Sequence, residues 1–421
     1  IFLFGMVGFV TNLAAPVGNI WKTQPGINGS TTLGMMGNMM NFLAYLFMGI
    51  PAGKLLYKYG SKKTILLAIS VGFIGVFIQF LSGVIGVKPG TTGIPASFYV
   101  YLLGAFVSGF SVCMLNTVVN PMLTLLGGGG NKGNQYVQVG GTFNSLMGTL
   151  TPMLVGALVG TLTASSQFKD INLVLYIAMG VFLAAGIIIS TLKLVDPETN
   201  DSASDDKDIP NPWKYRHFVL GVVAIFVYVG TEVGIPGTLN FFLSDSNASG
   251  LDPKTAAATA GFVAGTYWFL MLIGRFLSSL ISGKVSSRVQ LGVTTAVGCA
   301  LIAIGMFAPA SVKVAMPVFT GSSFAMATVP LAALLFVLCG LCTSVMWGSI
   351  FNLSVEGLGK ATTLASGIFM MMVVGGGILP LIQNFIVDHT AGYMIGYIVP
   401  LLGMAYMCFY AWIGSIPAKK K

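Results

Sequence analysis

Almost the whole chain consists of long apolar runs separated by short polar stretches. Each run approaches or exceeds the roughly 20 residues that a helix rising 1.5 Å per residue needs to cross the hydrocarbon core of a bilayer. The runs are continuous and are broken by Gly and Pro rather than alternating in polarity, so β-strands are not expected. Twelve transmembrane helices are predicted, over residues 1–21, 31–57, 63–87, 95–126, 135–162, 170–194, 216–243, 255–283, 289–310, 328–356, 361–387 and 391–416.

Composition supports a membrane location. Hydrophobic residues make up 55% of the 421 residues and charged residues only 8%, whereas a soluble protein is about one quarter charged. A chain with so few charges cannot cover a surface that faces water, so an integral, multi-pass protein surrounded by lipid is predicted. The five cysteines lie in apolar runs without His or acidic companions, which predicts neither a disulfide framework nor a metal site.

The positive charges are distributed unevenly between the two sides that these helices define. Of the 21 lysines and arginines, fifteen fall on the side of the termini, five fall on the other side, and Arg275 lies near a helix end. Because loops rich in Lys and Arg stay in the cytoplasm, both termini are expected there, with the protein in the plasma (inner) membrane. This topology explains the net charge of +9, so no nucleic-acid partner is expected.

One long polar stretch divides the chain. It runs from Asp196 to Arg216, is acidic, and contains Pro210 and Pro212. Such a segment is predicted to be a mobile cytoplasmic linker without a fold of its own. The predicted units are therefore an N-terminal six-helix bundle over 1–195, a linker over 196–215 and a C-terminal six-helix bundle over 216–421.

A parallel internal repeat relates the two halves. Thr11-Asn12 with Pro16 in the first helix matches Thr231-Glu232 with Pro236 in the seventh, at an offset of 220 residues. Two six-helix halves repeated in the same orientation are the arrangement of the major facilitator fold, whose substrate lies near the midplane between the halves. Two further matches follow in the same order: Gly53-Lys54 with Gly274-Arg275, and Gly148 and Pro152 with Gly376 and Pro380.

Several motifs carry a more specific resemblance. They are Asn116-Thr-Val-Val-Asn120-Pro121 in helix four, Tyr228-Val-Gly-Thr-Glu232-Val in helix seven, Tyr267-Trp268 with Gly274-Arg275-Phe276 in helix eight, Glu356-Gly-Leu-Gly-Lys360 after helix ten, and Gly375–Gln383 in helix eleven. These stretches resemble the fucose:proton symporter family, which includes glucose/galactose transporters, and they run through both halves. The loop Gly53–Lys63 resembles the family loop between helices two and three, with Tyr57 where that loop usually has an acid.

The resemblance implies an all-α membrane protein with twelve transmembrane helices in two pseudo-symmetric six-helix bundles, the major facilitator fold. It implies a transporter rather than an enzyme, with a small sugar as substrate, no cofactor, and function as a monomer. The sequence departs from the proton-coupled members at two positions, because Asn116 and Asn12 stand where those members carry acids. The usual proton carriers are therefore missing.

Glu232 is the candidate coupling residue. It lies deep within an apolar helix, where a charge is costly unless it is paired, protonated or hydrated. The alternative is a neutral carboxyl that bonds a neighbouring helix near Pro236. If transport is coupled, sodium near Glu232 is slightly preferred to a proton, because carboxylate, carbonyl and amide oxygens can hold a cation without a titrating pair.

Amide and aromatic side chains inside the helices are the candidate sugar ligands. An amide both donates and accepts hydrogen bonds, which suits sugar hydroxyls. Alternatively, each of these side chains forms a hydrogen bond with a neighbouring helix instead of with a sugar. The predicted ligands are Asn12, Asn116, Asn120, Asn144, Asn240, Asn352 and Gln383, with Tyr267, Trp268 and Trp347 as apolar faces for the sugar ring. Arg275, at the end of helix eight, is expected to extend to the cytoplasmic surface.

Four functions remain open. The first is a sugar transporter that works by alternating access and is coupled to a cation. The second is an uncoupled sugar uniporter. The third is a non-transporting sugar sensor, and the fourth is an exporter of amphipathic drugs, against which the amide-rich interior argues.

Overall fold

The computed structural model describes residues 2–88, 90–126, 130–159, 168–192, 211–281, 285–358, 362–390 and 392–417. Helix dominates these ranges. The long helices are α1 (Phe2–Thr23), α2 (Thr31–Leu56), α3 (Lys58–Ile85), α4 (Ala96–Leu126), α5 (Gly130–Val159), α6 (Asn172–Thr191), α7 (Arg216–Ser244), α8 (Ala256–Ile281), α9 (Ser287–Phe307), α10 (Leu331–Val355), α11 (Thr362–Met372 and Gly375–His389) and α12 (Tyr393–Gly414).

These helices confirm the predicted transmembrane architecture. Within the described ranges, eleven of them are long and apolar enough to cross a membrane. The remaining one, α5, has 30 residues, which at 1.5 Å per residue is also long enough, but its first half is rich in Gly, Asn and Gln. Gly60, with φ of +76°, interrupts the helical backbone in the first turn of α3, at the kink between α2 and the rest of α3; glycine adopts this backbone conformation without a steric penalty.

The expectation of no β-strands was wrong in one place. Between α9 and α10 the chain forms an antiparallel hairpin of β1 (Lys313–Phe319) and β2 (Phe324–Pro330). Both strands contain Val and Phe, and Thr320–Ser323 supplies small turn residues between them, a pattern that favours a hairpin. The continuous apolar runs argue against a spanning barrel, but not against a short hairpin between the predicted helices over 289–310 and 328–356.

Only the last five residues of the predicted linker, 211–215, lie in the described part of the chain. Residues 193–210 lie outside the described part of the chain. The Asn211 side chain accepts a hydrogen bond from the amide of Trp213 and caps a single helical turn over Pro212–Lys214. This last part therefore has local structure that the composition did not predict.

Glycines allow the two halves to approach closely where α5 meets α8. A methyl group on Gly261 would lie 2.6 Å from the carbonyl oxygen of Pro152, and one on Gly156 would lie 2.9 Å from the carbonyl oxygen of Ala257. Small residues at such positions let backbones touch in lipid, where van der Waals packing replaces the hydrophobic effect as the force between helices. Another contact surface between the halves is formed by α2 and α11.

The ends of the helices define two sides of the bundle. We call the side that carries Phe2 and Gly414, near the two termini, the terminal side. The side that carries Thr23 and His389 is the distal side. The hairpin of β1 and β2 starts from the distal side, because it connects the end of α9 with the beginning of α10.

Candidate functional site

A small cavity lies between the two halves at the centre of the helices. Its volume is about 20 Å³, which is room for roughly one water molecule. Its lining reflects the internal repeat, because α1 contributes Pro16 and α7 contributes the equivalent Pro236. The lining residues are Thr11, Asn12, Pro16, Asn38, Pro152, Val233, Pro236, Gly237, Asn240, Ala264 and Trp268.

Three of the predicted sugar ligands meet at this cavity: Asn12, Asn240 and Trp268. Asn12 donates a hydrogen bond from Nδ2 to the carbonyl of Gly8, 2.9 Å away, which leaves its Oδ1 for other contacts. Asn240 Oδ1 accepts a hydrogen bond from Asn19 Nδ2. The cavity therefore combines amides from both halves with one indole, a set that can bond hydroxyl groups and cover an apolar ring face.

Other predicted ligands bond residues of their own half. Asn116 Nδ2 donates to the hydroxyl of Tyr45 at 2.8 Å, and the hydroxyls of Tyr267 and Thr343 are 3.0 Å apart in the buried contact between α8 and α10. The structure thus favours interhelical hydrogen bonding for Asn116 and Tyr267 in this state.

The remaining predicted ligands are spread over several helices. Gln383 is buried on α11 next to Gly234, and its Nε2 has no hydrogen-bond partner. Asn144 is half-buried where α5 packs against Gly8 of α1. Trp347 packs against Tyr228 with ring centroids 6.2 Å apart, and Asn352 is exposed. The side chain of Asn120 lies outside the described residues.

Glu232 has a basic partner. Its Oε1 lies 3.4 Å from Nη2 of Arg275, with 12% of the Glu232 side chain and 20% of the Arg275 side chain exposed. The two residues belong to α7 and α8 of the same half. A buried charge needs such a partner, because an unpaired one is strongly destabilising.

The expectation that Arg275 extends to the membrane surface was wrong. Its Nη1 donates to the Ser145 hydroxyl at 2.8 Å and to the Gly141 carbonyl at 3.2 Å, both on α5 of the other half. The guanidinium has five N–H donors in a fixed planar arrangement, so it can bond Glu232 and α5 at the same time. Arg275 therefore connects the coupling candidate to the contact between the halves.

The distal side is closed by a carboxylate that crosses between the halves. Asp388, at the end of α11, accepts hydrogen bonds from the hydroxyls of Ser30 and Thr31, at 2.5 and 2.7 Å, and from the amides of Thr31 and Thr32, at 2.7 and 2.9 Å. These donors form the beginning of α2, where the first amides of a helix have no partner within the helix and the helix dipole favours negative charge. Asp388 thus caps a helix of the other half.

Lys22 and Asn19 of α1 add contacts at the same side. Lys22 Nζ donates to the hydroxyl of Tyr393 at 3.0 Å and lies 4.7 Å from the centre of the Phe241 ring. Asn19 also donates to the hydroxyl of Ser244 at 3.2 Å. These contacts of Lys22 and Asp388 depend on how the halves meet, so the sequence alone does not reveal the partners of either residue.

No group of three or more His, Cys, Asp or Glu side chains gathers anywhere in the described ranges. A cation at Glu232 would therefore have one carboxylate together with neutral oxygens. Arg275 occupies the position beside that carboxylate in this state, so a cation must compete with it.

Comparisons with known proteins agree with the fold. A family model described as Major Facilitator Superfamily matches residues 1–380. The chain is 30% identical to a glucose/galactose transporter of Brucella abortus biovar 1 (strain 9-941), over 98% of this chain and 92% of that protein. It is 22% identical to an L-fucose-proton symporter of Escherichia coli (strain K12), over 88% of this chain and 82% of that protein.

A solved structure has the same architecture. The crystal structure of a Major Facilitator Superfamily transporter, FucP, in the outward conformation matches with a TM-score of 0.64 and 20% sequence identity, and the match covers 97% of both chains. The likeness extends over both halves.

Proposed function

Because the chain belongs to the Major Facilitator Superfamily, we propose that it carries a hexose or a related monosaccharide across the membrane by alternating access. The observation that carries this proposal is the cavity between the halves, where Asn12, Asn240 and Trp268 meet. The similarity to a protein described as a glucose/galactose transporter, over nearly the full length of both chains, supports the choice of sugar.

The chemistry of the cavity suits a neutral polyol. Amide side chains bond hydroxyls through both donors and acceptors without imposing charge, and the Trp268 indole offers a flat apolar surface. Two amides come from opposite halves, so a bound sugar would bridge them. A ligand that touches both halves biases their relative position, which is what alternating access requires.

The state described here is too tight for a sugar. The cavity volume of about 20 Å³ means that the halves must separate before a monosaccharide enters. On the distal side this requires release of Asp388 from the beginning of α2. In the proposed cycle the distal side therefore opens while the central site keeps its position between the halves.

We propose Glu232 as the residue that couples transport to a cation, either sodium or a proton, with sodium slightly preferred. Neutralising Glu232 would weaken its bond to Arg275, which is then held by Gly141 and Ser145 of α5. Ion binding inside one half would in this way change a contact between the halves. Coupling through Glu232 and Arg275 requires no second acidic residue. This agrees with the presence of Asn12 and Asn116 at positions where the proton-coupled members have acids.

The proposed orientation places the terminal side in the cytoplasm. Fifteen of the 21 lysines and arginines fall on that side and five on the other, as expected for cytoplasmic loops. The proposed location is the plasma (inner) membrane, and the proposed working unit is a monomer with no cofactor other than the coupling ion.

Uptake into proteoliposomes tests the function. Radiolabelled hexoses and N-acetylhexosamines are offered with and without a sodium gradient and with and without a pH gradient. Uptake of one hexose that is competed by unlabelled sugar supports transport. Saturable sugar binding without counterflow would instead identify a sensor, and competition by lipophilic cations but not by hexoses would identify a drug exporter.

Removal of the indole from the cavity is expected to weaken sugar binding. Replacement of Trp268 by Ala should raise the apparent Kd for the transported sugar roughly tenfold or more, because a buried tryptophan at the centre of a contact surface typically contributes more than about 1.4 kcal/mol. Replacement by Phe keeps a ring and should lose less. Equal affinity in wild type and Trp268→Ala, measured by titration calorimetry, would exclude stacking on this residue.

Removal of the carboxylate is expected to separate transport from its driving ion. Glu232→Gln should abolish the stimulation of uptake by the coupling gradient while sugar-for-sugar exchange continues, because exchange needs no net movement of the ion. The assay is counterflow beside gradient-driven uptake in the same vesicles. Wild-type uptake that is unchanged by either the sodium or the pH gradient would identify an uncoupled uniporter. Gradient-driven uptake that persists in Glu232→Gln would show that another residue couples transport to the ion.

A further inference from the structure

We propose that the hairpin of β1 and β2 re-enters the membrane and that its outer face contacts the acyl chains of lipids at the depth of the central cavity. Hairpins between transmembrane helices are ordinarily taken as surface loops. The position of this hairpin relative to α8 and α5 and the absence of charge from its turn and outer face both point to lipid.

The depth of the hairpin follows from its contacts along α8. At its beginning, Lys313 Nζ donates to the carbonyl of Gly250, which precedes α8 on the distal side. At its end, the Phe319 amide donates to Thr266 Oγ1 at 2.9 Å, and the Phe319 ring stacks on Phe269 with centroids 4.5 Å apart. The hairpin therefore runs along α8 from the membrane surface inward.

Two lengths agree with a hairpin that runs inward along α8. Seven residues of strand extend about 23 Å, and the thirteen steps from Ala256 to Phe269 extend about 20 Å along the helix. Phe269 follows Trp268, which lines the central cavity. On the other half, a methyl group on Gly321 in the turn would lie 3.9 Å from Leu150, two residues before the cavity residue Pro152. The turn thus lies level with the cavity.

The sequence of the hairpin is compatible with hydrocarbon. Lys313 is the single Lys, Arg, Asp, Glu or His between Arg288 and Glu356. The inner face contributes Met316, Val318 and Val329, which are at most 2% exposed, while Phe324 and Met326 are 58% and 67% exposed. Two large apolar side chains side by side on an outer face are expected where the solvent is lipid.

Two of the three outward positions of β1 have no unbonded N–H. The Thr320 amide donates to the Ser323 carbonyl, so by the alternation of an antiparallel pair the amides of residues 319, 317 and 315 point to the outer edge of β1. Of these, Phe319 is bonded to Thr266 and Pro317 has no N–H. In the same alternation β2 ends at Pro330, which also has no N–H, but Phe324, Met326 and Thr328 keep outward amides. Each of these amides that meets hydrocarbon without a partner adds a free-energy cost.

Spin labels report the surroundings of the outer face. In a parent with the two half-buried cysteines, Cys299 and Cys408, replaced by Ala, the variants Phe324→Cys and Met326→Cys are labelled and reconstituted in vesicles. Collision with oxygen, which concentrates in hydrocarbon, is compared with collision with a water-soluble nickel chelate. Val297→Cys on the apolar surface of α9 serves as the lipid control, and Lys254→Cys in the loop before α8 serves as the water control.

The expected result is that both hairpin labels match Val297→Cys, with high oxygen and low nickel collision. Nickel collision equal to that of Lys254→Cys at both positions would overturn the proposal and place the hairpin in water. The Met326 side chain is mostly exposed, so this variant is expected to fold even if Phe324→Cys disturbs the ring contacts at the turn. The measurement does not depend on sugar transport, so it stands apart from the proposed function.

Discussion

Replacing Arg275 by Met is expected to lower the free energy of unfolding by roughly 3–5 kcal/mol, because it leaves the buried Glu232 carboxylate without its partner. Arg275 also bonds Gly141 and Ser145 on α5, so the same change removes a contact between the halves. The measurement is the thermal unfolding midpoint of purified protein in detergent, followed by the loss of native helix signal.

The double variant Arg275→Met/Glu232→Gln separates the two contributions. Replacing a buried ion pair by neutral residues of similar volume is often nearly neutral, so the double variant should regain most of the lost stability. The stability that the double variant does not regain measures the contribution of the Arg275 contact with α5. Arg288→Met is a matched control, because Arg288 bonds the hydroxyl of Ser415 within its own half. A single Arg275→Met variant as stable as Arg288→Met would show that the pair is not important for stability.

Replacing Asp388 by Asn is expected to move the protein towards a state that is open on the distal side. The carboxylate accepts from four donors at the beginning of α2, whereas an amide has one acceptor oxygen and presents N–H groups to the rest. A hydrogen bond to a charged group contributes about 1.5–3 kcal/mol, and Asp388 is exposed to water, which reduces this value. We therefore expect about a tenfold shift in the ratio of open to closed states, or roughly 1.4 kcal/mol.

Distances between spin labels on the distal ends of the two halves report this shift. Labels at Thr92, between α3 and α4, and at Asn247, after α7, should show a larger share of long distances in Asp388→Asn than in wild type. Asp252→Asn is the control, because Asp252 accepts from the Lys254 amide of its own loop. An unchanged distribution in Asp388→Asn would mean that other contacts hold the distal side closed.

The helices and the family were predictable because both depend on local information. A run of about 20 apolar residues determines a transmembrane helix whatever it packs against. Likewise, the repeat of Asn12 and Pro16 in α1 with Glu232 and Pro236 in α7 is visible before any contact is known. The structure then places both prolines in the wall of the central cavity.

The side-chain pairing was less predictable, because it depends on rotation of each helix about its axis. Asn12, Asn240 and Trp268 face the cavity, whereas Tyr267 lies one residue earlier on α8 and points into its own half. Arg275 was assigned to the surface from its place near a helix end. Its long side chain reaches inward instead, since Glu232 offers a counterion and α5 offers two oxygens.

The hairpin was missed for a different reason. Hydropathy along the chain separates helices from loops, and a neutral segment of moderate hydrophobicity between α9 and α10 satisfies neither pattern fully. Strand alternation over seven residues is short, and Pro317 argues against a strand except at an edge. The structure places β1 at such an edge, where the missing N–H of Pro317 is no loss.

The pairing of Glu232 with Arg275 also has an electrical consequence. One negative and one positive charge lie side by side within the bilayer, so an empty carrier reorients without moving net charge from this pair across the membrane. Under the proposed coupling, the membrane potential then acts on the loaded carrier through the ion bound at Glu232. Each such ion contributes about 2.3 kcal/mol per 100 mV, and the Glu232–Arg275 pair adds no voltage dependence to the return of the empty carrier.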